Sequence, residues 1–249
     1  MFTPTGKIYL CGDIHNEADK LIRLLAQIEP LLTEKDHVVF CGDLIDRGKQ
    51  PSLTVEVLVS FVRRHPDQVF FVQGNHDFML QHYLTTGRQD WMEYLKVTLD
   101  GWQADWKLAD IQPLTVMEAL FNRGFNEITC RTAFYYETEE VVATHAPIDI
   151  SSAKMNGIDK YDAAFAAKGN LPTFNFFLER IRYDIQWGFT GEEIRIPEFK
   201  KFRVCGHQFK GGKHPRIFKD RAFIDTGCGK GNNPVTCLVY PGKRYYQGY

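Results

Sequence analysis

Three short apolar runs, each ending in a glycine and a cluster of polar residues, punctuate the first third of the chain. Lys7-Ile8-Tyr9-Leu10-Cys11 leads into Gly12-Asp13-Ile14-His15-Asn16. Asp36-His37-Val38-Val39-Phe40-Cys41 leads into Gly42-Asp43-Leu44-Ile45-Asp46-Arg47-Gly48, and Val69-Phe70-Phe71-Val72 into Gly74-Asn75-His76-Asp77. Apolar runs of this length bounded by glycine predict buried strands. Between the first two, Ala18, Leu21, Ile22, Leu24, Leu25 and Ile28 recur at helical spacing, and Pro30 closes that helix. Between the second and third, Leu53, Val55, Val57, Leu58, Phe61 and Val62 mark another helix, stopped before Pro66. The alternation is βαβαβ. It predicts an α/β fold with a parallel sheet and right-handed crossovers, and it brings all three polar loops to one sheet edge.

Residues 78–130 read as mostly helical and rich in aromatics, with Tyr83, Trp91, Tyr94, Trp102, Trp106, Phe121 and Phe125 as candidate core of a helical insertion. Phe134 to Glu137 and Glu140 to Thr144 predict a hairpin around Thr138-Glu139, ending at His145-Ala146-Pro147. Residues 148–200 form a second, loop-rich insertion with a short helix near 174–183. Phe202-Arg203-Val204-Cys205 is the next strand and ends at Gly206-His207. The tail alternates strands and turns at Arg216 to Phe218, Ala222 to Ile224 and Val235 to Tyr240. Gly227-Cys228-Gly229-Lys230-Gly231 lacks the spacing and strand-to-helix setting of a phosphate loop.

Composition narrows the class. A 249-residue chain of net charge −1 is long enough for a sizeable core and too neutral for a dedicated nucleic-acid or membrane-surface binder. No stretch has the apolar length of a membrane helix, and Met1 to Gly6 lacks the features of a signal peptide. Six scattered cysteines without Cys-x-x-Cys suit a reducing, cytoplasmic setting. Cys11, Cys41 and Cys205, each just before a strand-end glycine, read as buried core. One basic stretch, Lys200 to Arg221, reads as a solvated face close to the Gly206-His207 motif.

The strand ends carry Asp13, His15, Asp43, Asn75, His76, His145 and His207. This set of carboxylates, imidazoles and an amide is enough for two divalent cations. Its hard oxygen and imidazole donors suit Mn²⁺, with Fe or Zn²⁺ as alternatives. One carboxylate can bridge two such ions, which acidify a shared water into a hydroxide nucleophile and grip phosphate oxygens. Arg47 is the candidate clamp for the remaining oxygens. His76 is the candidate general acid for a leaving alkoxide, with Asp46 orienting its ring. His37, His65 and His82 fall outside the pattern and read as surface or satisfied histidines.

With Gly12-Asp13-Ile14-His15-Asn16, Gly42-Asp43-Leu44-Ile45-Asp46-Arg47-Gly48, Gly74-Asn75-His76-Asp77, Thr144-His145-Ala146 and Gly206-His207 in this order, the chain resembles the calcineurin-like metallophosphoesterases. Within them it looks most like the phosphoprotein phosphatases of bacterial and phage type. The resemblance implies a four-layer α/β/β/α β-sandwich forming one domain over 1–249, with the tail strands supplying the second sheet. It implies that Asp13, His15 and Asp43 hold one metal, and Asp43, Asn75, His145 and His207 the other. Arg47, with Asn75, would bind phosphate, and His76 paired to Asp46 would donate the leaving-group proton.

The chain departs from the family at Asn16, where Gly is usual, and at Asp77, where Glu is usual. A further phosphate-binding arginine has no clear counterpart; Arg180, Arg182 and Arg195 are the candidates. Gly206-His207-Gln208-Phe209 lacks the second histidine common in the phosphodiesterases, which favours a monoesterase. The implied activity is hydrolysis of phosphoserine and phosphothreonine, with phosphotyrosine also accessible, on protein or peptide substrates. A dinucleoside polyphosphate hydrolase is the alternative. An inactive scaffold would have lost ligands, and none is missing.

Overall fold

The structure is a computed structural model that describes residues 6–147, 201–209 and 211–249. The three expected strands form as β1 (Ile8–Cys11), β2 (His37–Phe40) and β3 (Val69–Val72). They pair in parallel, Ile8 opposite His37 and Val38 opposite Val69. The crossovers are α1 (Ala18–Ile28), which runs into a 3₁₀ turn at Glu29–Leu31 around Pro30, and α2 (Pro51–Arg64), which takes Pro51 as its first residue. The expected insertion is helical: α3 (Asn75–Thr86), α4 (Met92–Trp106), α5 (Pro113–Asn122) and α6 (Asn126–Thr129). A two-residue strand, β4 (Thr132–Ala133), then extends the sheet beside β3.

The second sheet is built around the hairpin β5 (Tyr135–Glu137) and β6 (Val141–Thr144), closed by Thr138. It continues through β7 (Phe202–Cys205), β9 (Arg221–Phe223) and β8 (Arg216–Ile217). Here the expectation for the tail needs correction. β10 (Val235–Tyr240) does not join this sheet; it lies antiparallel beside β1, Ile8 opposite Tyr240. β11 (Arg244–Gly248), which the sequence reading missed, covers the outer edge of β10. β10 is the longer, more fully buried strand, and pairing it with β1 closes an edge that would otherwise expose unpaired backbone groups.

The alternation of side chains explains why these strands read as unbroken apolar runs. Tyr9 and Cys11, Val38 and Phe40, Val69 and Phe71, and Cys237 and Val239 face the helices, where they pack with Leu21, Leu24, Leu58 and Phe61. Ile8, Leu10, Val39, Val72 and Leu238 face the other way, onto Tyr136, Val141, Ala143, Phe202 and Val204 of the second sheet. Both faces are dry, so both need apolar residues. Helix, sheet and sheet are thus three layers. The short helix expected over 174–183, and with it the expected layer beyond the second sheet, lies outside the described residues.

Within the insertion, Tyr83 and Trp102 are core, while Tyr94 and Phe121 stand exposed. Part of the basic stretch is likewise not a solvated face. Lys201 is buried in an ion pair with Glu137, and Arg203 is buried against Asp220.

Candidate metal centre

The carboxyl ends of β1, β2, β3, β6 and β7 meet at one place, and their loops converge through tight backbone turns. His15, Asn16, Asp43, Asp46, Arg47 and His207 all adopt positive φ, between 50° and 70°. Each costs free energy, and such residues cluster where a site must be held in an unfavourable shape. Two glycines permit the close approach. Gly42, at φ 92°, sits against Gly74 and the His145 ring. A Cβ on Gly206 would lie 2.2 Å from Asp13 Oδ1, the oxygen that accepts the His207 backbone N–H.

Two clusters of donor atoms result, sharing Asp43. In the first, the His15 ring donates from Nδ1 to the Ile45 carbonyl at 2.8 Å. That leaves the Nε2 lone pair buried with no hydrogen-bond partner, 3.7 Å from Asp13 Oδ2 and 3.5 Å from Asp43 Oδ2. Burial holds His15 down at about 3, so it is neutral and available as a donor. In the second, His145 donates from Nδ1 to the Cys41 carbonyl at 2.7 Å and turns Nε2 inward. This nitrogen stands 3.0 Å from Asn75 Oδ1, 3.1 Å from His207 Nδ1 and 3.3 Å from Asp43 Oδ1. His207 Nδ1 is 3.1 Å from Asn75 Oδ1.

These spacings test the fit of a cation. Two donors each about 2.0–2.2 Å from one ion at tetrahedral or octahedral angles stand roughly 2.8–3.6 Å apart. The second cluster lies within that range; in the first, the His15–Asp43 pair does, and the His15–Asp13 pair at 3.7 Å lies just beyond it. The charges agree. Burial, and then the Asp225 carboxylate, push Asp13 well up. Burial works against a charge on His145, yet Asp43 raises it to about 10, while burial and the charge of His145 hold His207 down at about 4. A proton on His145 is doing what a cation would do better, since buried carboxylates facing imidazole lone pairs are stabilised by positive charge at their centre. The donor set therefore fits two divalent cations with Asp43 between them.

Beside the clusters, His76 directs Nδ1 to Asp46 Oδ2 at 2.7 Å. Burial disfavours a charge on His76, but Asp43 and Asp46 outweigh it and raise its pKa. Its Nε2 faces the site, 3.4 Å from Nη2 of the exposed Arg47. Every residue singled out from the sequence is thus in this one cluster, except Arg180, Arg182 and Arg195, which lie outside the described residues.

The sequence reading missed several contributors. Asp77 accepts the backbone N–H groups of Asp43, Leu44 and Gly74, which fixes the Asp43 loop to the start of α3. Its place three residues after Gly74 is the spacing of a helix-capping acid and could have flagged it. Thr98 of α4 bonds to Asp46, and no sequence signal separates it from any other buried helical position. Gly229 packs on the Cβ atoms of His15 and Arg47, so the Gly227–Gly231 loop is a wall of the site although it is no phosphate loop.

Comparison with known proteins agrees with this geometry. The family model described as calcineurin-like phosphoesterase matches residues 6–207. The chain is 34% identical over 70 residues to the serine/threonine-protein phosphatase 4 catalytic subunit of Kluyveromyces lactis, covering 28% of this chain and 22% of that protein. The chain thus matches only about a fifth of the length of that relative. It is 25% identical over 249 residues to the asymmetrical bis(5'-nucleosyl)-tetraphosphatase PrpE of a Geobacillus species, covering 94% of this chain and 91% of the relative. Among solved structures, it resembles a cold-active protein-tyrosine phosphatase of a Shewanella species, with a TM-score of 0.53 and 18% identity over 98% of this chain and 80% of the other. That likeness is one of fold.

Proposed function

The chain belongs to the calcineurin-like phosphoesterases, and from that premise we propose that it is a phosphomonoesterase acting on phosphoserine and phosphothreonine in proteins or peptides, with phosphotyrosine as a further substrate. The observation that carries this reading is the buried His76–Asp46 pair aimed at the donor clusters. A serine or threonine alkoxide is a poor leaving group and needs a proton as the ester bond breaks; a nucleotide leaving from a polyphosphate needs one far less.

When bound, two divalent cations would supply an acidified water and neutralise charge on the phosphate. Asp13, His15 and Asp43 would hold one, and Asp43, Asn75, His145 and His207 the other; Mn²⁺ suits the donors best, then Fe or Zn²⁺. Arg47 binds the phosphate oxygens, with the Asn75 amide beside it. Water adds to phosphorus and gives up a proton to solvent, the ester oxygen leaves with the bonding pair, and that oxygen takes the proton from His76 Nε2, which is then restored from solvent. Asp46 keeps Nδ1 of the same ring occupied, so that Nε2 faces the leaving group. Tyr94, exposed and edge-on to His76 at 5.9 Å, borders the space where a substrate side chain would lie. The proposal keeps the cytoplasmic setting inferred from six free cysteines, and the net charge of −1 supports a protein substrate over a nucleic-acid or membrane partner.

A second reading has its own support, the full-length similarity to a dinucleoside tetraphosphatase. The deciding experiment is kcat/KM with Mn²⁺ present, measured on a phosphoserine peptide and on diadenosine tetraphosphate. The proposal expects a large excess for the peptide. A large excess for the dinucleotide replaces it with the second reading, and inactivity on both with metal bound returns the chain to a scaffold.

A further inference from the structure

Behind the His76–Asp46 pair lies a chain of buried polar groups that reaches into the helical insertion. Thr98, on α4, is fully buried. Its hydroxyl stands 2.5 Å from Asp46 Oδ1, 3.0 Å from the Asp46 backbone nitrogen and 2.9 Å from Asn16 Nδ2. A hydroxyl has one proton and two lone pairs. The Asp46 N–H can only donate, so it takes one lone pair. The Asp46 carboxylate can only accept, so it takes the proton. What remains is a lone pair, which requires Asn16 to present its amide N–H. The direction of every bond is therefore fixed: Asn16 donates to Thr98, Thr98 to Asp46 Oδ1, and His76 Nδ1 to Asp46 Oδ2.

Asn16 fits this role in its backbone too. It occupies a left-handed conformation, φ 55°, which asparagine tolerates better than other side-chain-bearing residues. It is fully buried, and its Oδ1 has no partner. An unpaired buried amide oxygen costs free energy. The residue thus carries a penalty that glycine would avoid, and among the described residues the side-chain hydrogen bond that offsets it is the one to Thr98.

We propose that Thr98, set by Asn16, is a positioning residue that locks the Asp46 carboxylate so that the His76 ring presents Nε2 to the leaving oxygen. The inference rests on the general-acid role of His76 proposed above. Asp46 has two oxygens and could rotate about its side-chain bonds. With Oδ1 pinned by Thr98, Oδ2 keeps one direction, and the ring that bonds to it keeps one orientation. The proton is then delivered from a fixed point, which is where small misplacements are costly.

The test compares the metal-loaded enzyme and its variants on two substrates, a phosphoserine peptide and an activated aryl phosphate whose leaving group needs no proton. Thr98→Val keeps shape and removes the hydroxyl. It should lower kcat on the peptide about tenfold, the scale of losing an orienting outer partner, and change the aryl phosphate less than twofold. Thr98→Ser should restore the peptide rate. Asn16→Gly, which the backbone accepts without strain, should give a smaller loss with the same split between substrates. In the metal-free protein, the Nδ1 proton resonance of His76 should move upfield in Thr98→Val and return in Thr98→Ser. Equal losses on both substrates, or no loss on either, would overturn the inference. His76→Asn separates the two levels of argument. If it shows no split, the general-acid reading falls and takes the inference with it. If it shows the split and Thr98→Val does not, the inference alone fails.

Discussion

The Asp77 carboxylate accepts the backbone N–H of Asp43 at 2.9 Å, and its other oxygen accepts the N–H of Leu44 at 3.0 Å. A side chain from the first turn of α3 therefore holds the loop that carries Asp43, the residue shared by both donor clusters. Burial, and then the charge of Asp43, raise Asp77 to about 6, so this carboxylate sits under repulsion from the group it supports. Asp77→Asn puts an amide N–H against a backbone N–H. It should destabilise the metal-free protein by roughly 1–3 kcal/mol and weaken cation binding at both clusters together. Urea unfolding with chelator and a calorimetric cation titration check the two parts. Weakening at one cluster alone would show that Asp77 does not act through Asp43.

The clusters differ in every donor except Asp43, which gives a stoichiometric prediction. His15→Gln should retain one cation per chain, and His145→Gln should also retain one, from the opposite cluster. Asp43→Asn should weaken both, because each cluster draws one of its oxygens. Metal content after dialysis against Mn²⁺ is the measurement. Two ions retained in His15→Gln would remove that residue from the ligand set.

The legible part of this molecule is the part whose residues obey local rules. The β1, β2 and β3 runs could be read because both faces of the first sheet are dry, so every position is apolar. The candidate donor residues could be picked out because each stands just beyond the carboxyl end of an apolar strand. Two kinds of feature stayed hidden. One was pairing at distance: β10 has the composition of any buried strand, and only the assembled sheet shows that it borders β1 in place of β9. The other was support from an unrelated element. Thr98 is one buried position among Leu95, Leu99 and Trp102 on α4, and its bond to Asp46 spans 52 residues of sequence. Charge misled in the same way. Lys201 belongs to a basic run, yet its ammonium lies inside.

That lysine makes a prediction about stability. Lys201 and Glu137 form an ion pair with both side chains less than a tenth exposed, linking the residue before β7 to the end of β5. Removing the lysine strands the buried Glu137 carboxylate. Lys201→Met should cost roughly 3–5 kcal/mol, while replacing both partners with methionine should be close to neutral. Urea unfolding of the two variants decides between a pair that stabilises the second sheet and one that only avoids a penalty. A double variant as weak as the single would assign the pair a real stabilising role.

The pH dependence of folding offers a separate check at His37, away from the donor clusters. The ring is buried at the start of β2, with Nδ1 2.6 Å from the Tyr136 hydroxyl and the Phe70 ring at 4.7 Å. Burial lowers its pKa against the pull of Asp36, and burial also pushes the Tyr136 hydroxyl up, so that oxygen keeps its proton and donates to a neutral His37. In the unfolded chain a histidine titrates near about 6.5. Between the folded value and that one, the unfolded state binds more protons, so stability rises with pH across the window. The contribution of His37 is complete above about 6.5 and is lost as pH falls through the folded pKa. His37→Gln keeps an acceptor in place without a titratable group. With chelator present, its urea midpoint should fall less between pH 8 and pH 5 than that of the parent chain. The other histidines are common to both proteins, so the difference isolates His37; parallel lines would mean that the ring is accommodated equally well when charged.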